Sequence, residues 1–198
     1  DGVTGFMGRH AGRAYRLVLT GIGPEAAAAA ARAVLHQEGT ALAVSAGFAG
    51  ALLPGATVGD VIVASSVESG RFDGSWTQSG GSIVCEERVR RSVETAATEM
   101  GVVVQSGPVL SLSSVVCRAV DKQDLYRRTG AVALDMESAA IGKVAQSHGI
   151  PFAVIRTVSD VADEDLPLDF NVFLKPWGWV RGIGAMIINP SSFIGLNR

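Results

Sequence analysis

The sequence predicts an α/β fold: one domain over residues 1–198, with a mostly parallel mixed sheet flanked by helices. Two observations carry this. Apolar runs of strand length alternate with helical stretches, and most of those strands are apolar throughout, which suits a sheet covered on both faces. The 24 glycines punctuate many of the junctions, as tight strand-to-helix turns require.

The elements follow in order. Tyr15 to Thr20 reads as a strand, and Gly21-Ile22-Gly23-Pro24 turns it into a helix. Pro24 suits a first helical turn, Ala26 to Ala31 has the highest helix propensity, and Gly39 is the expected stop. Ala41 to Ala46 is a second strand that closes on Gly47-Phe48-Ala49-Gly50, small residues suited to a close backbone approach. Gly59 to Ser65 is a third, and the polar, glycine-rich stretch from Gly70 to Gly81 is a long loop or hairpin. Glu86 to Met100 places Val89, Val93, Ala96, Ala97 and Met100 on one helical face. Val102 to Leu112 is extended, and Asp121 to Arg128 is a short helix stopped by Gly130. A strand then runs into Asp135, a helix covers Ser138 to His148, and Phe152 to Val158 is the last clear strand, after Gly149 and Pro151. Leu166 to Phe170 starts a loop or short helix, Pro176-Trp177-Gly178-Trp179 breaks it, Val180 to Ile188 is a final helix, and Pro190 to Arg198 is an apolar tail.

Composition narrows the function classes. With 47% hydrophobic and 18% charged residues the chain is globular, and a net charge of −2 gives no electrostatic case for nucleic acid. Cys85 and Cys117 form no CxxC, and His10, His36 and His148 are scattered, so neither a metal site nor a disulfide is expected. No run reaches the length of a transmembrane span and no signal-peptide layout opens the chain, so a cytoplasmic location is expected. The sequence begins at Asp1 rather than Met, and a first strand is expected to lie outside it.

The chemistry points to two strand ends. Val132 to Asp135, followed by Met136-Glu137-Ser138, and Val154 to Val158, followed by Ser159-Asp160, each carry an apolar run into acidic residues. Ligands of open α/β sheets gather at such ends. Glu137 and Asp160 there can hold sugar hydroxyls or donate a proton. Each also has a plainer reading, Glu137 as a carboxylate at a helix N-terminus and Asp160 as a turn or cap residue. Gly21-Ile22-Gly23 either cradles an anion on backbone N–H groups or is a tight turn. It is no dinucleotide fingerprint, because Pro24-Glu25-Ala26 replace the third glycine, and a redox enzyme is disfavoured. Arg156 on an apolar strand needs an anionic partner: Glu137, a carboxylate across an oligomer interface, or phosphate.

Taken in order, Thr20-Gly21-Ile22-Gly23, Gly47 to Leu52, Val58 to Val63, Asp135 to Ala140 and Arg156 to Asp160 resemble the nucleoside phosphorylase and nucleosidase superfamily. The resemblance implies a three-layer α/β/α domain that cleaves the N-glycosidic bond of a purine nucleoside. It implies Asp160 as the catalytic group, protonating or hydrogen-bonding the base at N7. To act as an acid near neutral pH, Asp160 must hold a proton there, which burial or a neighbouring Glu137 favours. Glu137 accepts from ribose hydroxyls and Met136 packs under the sugar in this reading. Asp135, Phe48, Ala49, Gly50, Ser114, Val115 and Ser159 complete the substrate contacts. Phosphate, the co-substrate of a phosphorylase, would meet Gly21, Gly23, Ser45 and Arg156. The resemblance implies no cofactor and no metal, and a homo-oligomer.

The chain departs from that pattern in three places. Phe48 stands where phosphorylases place a phosphate-binding side chain, Ser113 to Val116 lacks the aromatic on which nucleosidases stack the base, and no equivalent of their first strand precedes Tyr15. The stretch after Asp160 resembles the hopanoid-associated phosphorylase branch, which implies adenosylhopane as substrate, a lipid tail met by Phe48, Trp177, Trp179 and the apolar C-terminus, and a membrane-adjacent location. Phosphorolysis is the leading expectation. Hydrolysis and a non-catalytic nucleoside- or lipid-binding protein of the same fold are the alternatives.

Overall fold

The structure is a computed structural model, and it describes residues 4–36 and 39–166. The expectations for Pro167 to Phe170, the break at Trp177 and Trp179, the helix from Val180 and the apolar tail lie outside those residues.

Five strands close into a ring, and helices pack around it. These are β3 (Ala43–Ala51), β4 (Val61–Phe72), β7 (Val104–Leu112), β8 (Ala133–Asp135) and β9 (Phe152–Asp160). β3 pairs with β9, β4 with β7 and β7 with β8 in parallel, while β8 meets β3 and β9 meets β4 antiparallel. The sheet is mixed, as expected, but it curls until β4 and β9 pair through Val61–Thr157, Ile62–Arg156 and Val63–Ile155. Closure leaves those strands no long free edge there. β4 runs well past Ser65, and its end forms a hairpin with β5 (Trp76–Gln78), while β6 (Ile83–Val84) pairs with its middle. The segment from Gly70 to Gly81 is thus largely a hairpin.

Ahead of the ring, β1 (Gly5–His10) pairs antiparallel with β2 (Arg13–Val18) in a separate two-stranded sheet, so a strand precedes Tyr15 without joining the main sheet. Ala11 and Gly12, both at positive φ, make its two-residue turn. One expectation needs correction: β3 is not covered on both faces. Ala43, Ser45 and Ala49 are buried, whereas Val44 and Phe48 on the other face are exposed. The apolar run hid an alternation that only the covering elements could reveal.

The helices obey their local chemistry. Helix α1 (Pro24–Leu35) starts on Pro24 and buries Ala27, Ala30, Ala31 and Leu35 along one stripe. Helix α2 (Glu87–Met100) is capped by the Glu86 side chain and ended by left-handed Gly101. Of its residues only Ala97 is buried, and its apolar face borders an open groove of about 600 Å³ with Val61, Val102 and Ile155. Helix α3 (Ala119–Thr129) ends on left-handed Gly130, and helix α4 (Ser138–Ser147) packs on α1. A methyl group on Gly142 would stand 2.7 Å from the Phe152 ring, so this glycine lets α4 lie close on β9.

Cys85 is buried beside β9, and burial pushes its thiol up to about 11. The neutral thiol is the inert form, so Cys85 gains reactivity only as pH approaches that value. In a Cys117→Ser background, a disulfide-exchange reagent at pH 8 is expected to leave native Cys85 unlabelled and to label it on denaturation. Rapid labelling of the native protein would contradict this packing.

Candidate active site

Three strand segments build the site. Within the ring β3 lies between β8 and β9, with Gly50 in register with Leu134 on one side and Asp160 on the other. The end of β8, leading into Glu137, and the end of β9 at Asp160 therefore flank the stretch Gly47 to Gly50.

Beneath that stretch lies a buried polar cluster. Arg156 Nε donates to Asp135 Oδ2 at 2.8 Å, reaching across β3 from β9 to β8, and Nη2 lies 2.6 Å from the same oxygen in an ion pair. Nη2 donates its two N–H groups to Ser45 Oγ and Ser138 Oγ, each at 2.8 Å. The Ser138 hydroxyl donates to Asp135 Oδ2, and its backbone N–H donates to Oδ1 at 3.2 Å. Arg156, Asp135, Ser45 and Ser138 are 2%, 4%, 3% and 0% exposed, so desolvation is offset only by this mutual pairing. Gly47 makes the crossing possible: a Cβ there would lie 2.9 Å from Arg156 Nη1. The partner of Arg156 is thus Asp135, which none of the three alternatives left open by the sequence had named. Arg156 and Ser45, assigned to phosphate from sequence, lie in the interior, and so does Asp135.

Glu137 sits at the cap position of α4, yet its side chain does not cap that helix. Its Oε1 instead accepts from the backbone N–H of Gly23 at 2.7 Å, just ahead of Pro24. The N-terminus of α1 carries partial positive charge, which favours a carboxylate there. Gly23 adopts φ 90°, a left-handed region that suits glycine and aims this N–H. The anion that meets Gly23 is therefore the protein's own Glu137. Gly21 takes φ 75° and donates no backbone hydrogen bond to that carboxylate among the described contacts.

Asp160 is held from two sides. Lys122 Nζ donates to Oδ2 at 2.6 Å, and the Ser159 hydroxyl lies 2.8 Å from Oδ1 and 3.2 Å from the Ala49 carbonyl. Lys122 is completely buried, while the Asp160 side chain remains 21% exposed. A Cβ on Gly50 would stand 2.9 Å from Asp160 Oδ2, so glycine leaves room for this carboxylate.

The other candidates spread around this frame. Met136 is half-buried and lines a cavity of about 430 Å³ with Ser111, Ser113 and the α4 residues Ala139, Ala140 and Lys143. Neither Glu137 nor Asp160 borders that cavity or the groove under α2. Ser114 and Val115 are half-buried between β7 and α3, Ala49 is buried, and Phe48 is 74% exposed. No cluster of three or more metal-ligating side chains occurs among the described residues.

Sequence reasoning passed over Lys122 and Asp165. Lys122 lies in Asp121-Lys122-Gln123-Asp124, which reads as a solvated helix face. Asp165 Oδ1 accepts from the Ala119 N–H at 2.7 Å and caps α3 from 46 residues downstream, beyond any local signal. Ser138, three residues after Asp135, did carry a signal, the spacing of a side chain that caps the next helix.

Comparison with known proteins fixes the family. A family model described as the phosphorylase superfamily matches residues 1–175. The chain belongs to the phosphorylase superfamily. Its relatives include a 5′-methylthioadenosine/S-adenosylhomocysteine nucleosidase of Shewanella baltica, 26% identical over 96% of this chain and 87% of that protein. The nucleosidase of Neisseria meningitidis, solved in complex with methylthio-immucillin-A, superposes with a TM-score of 0.74 at 27% identity, covering 82% of this chain and 74% of that one. A Helicobacter pylori mutant of that enzyme with 5′-methylthioadenosine in its active site shares the fold, with a TM-score of 0.75 at 21% identity over 96% and 86% of the chains. Within this superfamily of nucleoside N-glycosidic bond cleavage, the α/β mixed sheet has the same fold as the nucleosidases.

Two variants test the frame. Arg156→Met strands a buried Asp135 carboxylate and is expected to lower unfolding free energy by about 3–5 kcal/mol, measured by urea denaturation; a loss near zero would contradict the cluster. Gly50→Ala pushes against Asp160 and is expected to lower base release by about 100-fold with folding intact, since displacement near 1 Å costs that much. Unchanged turnover would count against a role for Asp160 in base release.

Proposed function

We propose that the protein releases the base from a purine nucleoside-like substrate, with Asp160 at the leaving base and Glu137 at the ribose hydroxyls. One observation carries the reading. Two carboxylates stand at the ends of β8 and β9, the strands that flank Gly47 to Gly50 of β3, and each is anchored from behind while only partly buried.

The chemistry suits that arrangement. When the C1′–N9 bond breaks, its electron pair passes to the base and positive charge builds on the sugar. A proton or hydrogen bond placed at N7 stabilises the departing base, and a carboxylate at the ribose hydroxyls holds the sugar and offsets the growing charge. An oxygen of the acceptor then bonds to C1′.

In this proposal the acceptor is inorganic phosphate, following the resemblance to the hopanoid-associated branch, with adenine released from adenosylhopane. Exposed Ile22, beside the turn that binds Glu137, and exposed Phe48 support an apolar 5′ substituent. Hydrolysis is the second reading. It is favoured by Arg156 and Ser45 being spent in the interior cluster and by the nucleosidase relatives.

Adenine release assayed with and without phosphate separates the two. Full rate in phosphate-free buffer means hydrolysis, and strict dependence means phosphorolysis. Asp160→Asn is expected to lower either rate by about 100- to 10,000-fold. Tight adenosine binding by the wild type with no base release would mark a binding protein instead.

A further inference from the structure

We propose that Lys122 is a positioning residue for base release: it holds the Asp160 carboxylate from behind so that its free side meets the leaving base. The proposal rests on the reading of Asp160 given above.

A fully buried lysine is costly unless its ammonium is satisfied. Among the described residues Lys122 is the largest of the fully buried side chains, and its ammonium reaches three acceptors. These are Asp160 Oδ2 at 2.6 Å, the Val161 carbonyl at 2.8 Å and the Glu164 carbonyl at 3.5 Å. An ammonium carries three donors, so the set is complete. All three acceptors lie at or just after the end of β9. The same segment is tied to the start of α3 twice more, through the Ala119 N–H to Asp165 Oδ1 and the Leu166 N–H to the Cys117 carbonyl. Those two bonds already fasten the segment without Lys122.

The charged contact differs from the rest. It is the shortest of the three and the only one made to a side chain that also faces outward. Charge-assisted hydrogen bonds hold geometry more strongly than neutral ones. Lys122 fixes Oδ2 from the interior, Gly50 leaves the room, and Ser159 meets Oδ1. A reaction that needs a group aimed at one ring nitrogen gains from such a fixed carboxylate.

The test compares two substrates in the full chain. Adenosine needs help at its leaving base. A 4-nitrophenyl β-ribofuranoside does not, because nitrophenolate leaves unprotonated. Lys122→Met is expected to lower kcat on adenosine by about 100-fold, with KM changed less than about threefold and the nitrophenyl riboside rate nearly kept. Equal losses on both substrates, or no loss on adenosine, would overturn the positioning role. If the methionine variant does not fold, Lys122→Gln, which keeps an N–H donor, is expected to show the same selective loss in smaller degree, and equal losses there also overturn it. Asp160→Asn is the control. If it fails to discriminate between the substrates, the reading of Asp160 falls, whatever Lys122 does.

Discussion

The salt bridge from Arg156 to Asp135, passing across β3, is the contact on which the site's geometry depends. It ties β9 to β8 over the strand that separates them, at Gly47, where a side chain would block the guanidinium. Asp135 also receives the Ser138 backbone N–H, so the same carboxylate fixes the first turn of α4. Glu137 is one residue before that turn, and Asp160 is four residues beyond Arg156. A single buried cluster thus sets the start of both segments that carry the strand-end acids. Its residues are polar because an apolar substitute could not join four elements at defined atoms, although replacing such a pair by well-packed apolar groups need not cost stability.

Each acid then has its own anchor on a different helix. Glu137 leans on the N-terminus of α1 through Gly23, and Asp160 on the interior of α3 through Lys122. One anchor is a backbone dipole and the other a full charge. The two carboxylates differ in surroundings although both follow apolar strands, and such divergence is how one site assigns different tasks to like groups.

Much of this was legible in the residues. Alternation of apolar strands and helices gave α1, α2, α4 and β9 within a few positions, because local periodicity and terminal Gly and Pro signals decide those elements. The strand-end acids stood out because carboxylates interrupt apolar runs. Ring closure between β4 and β9 was not legible, since it depends on how far the sheet curls. β2 was read as a strand, but β1 and the hairpin it makes were missed, because its apolar residues are exposed and follow no buried stripe. Arg156 was recognised as needing an anion, but the sequence offers several, and only packing chose Asp135. Lys122 was invisible for a related reason: a lysine among charged neighbours on a short helix is ordinarily solvated, and its burial comes from a segment about 40 residues downstream.

The central claim is that two carboxylates, braced through one interior cluster, act on a single glycoside. Crystallography of the protein with a non-cleavable purine nucleoside analogue tests it most directly. The account predicts Glu137 within hydrogen-bond distance of the ribose hydroxyls and Asp160 within that distance of the base in the same bound molecule, with Arg156 still on Asp135. A ligand that touches only one of the two acids, or that occupies the groove under α2, would contradict it.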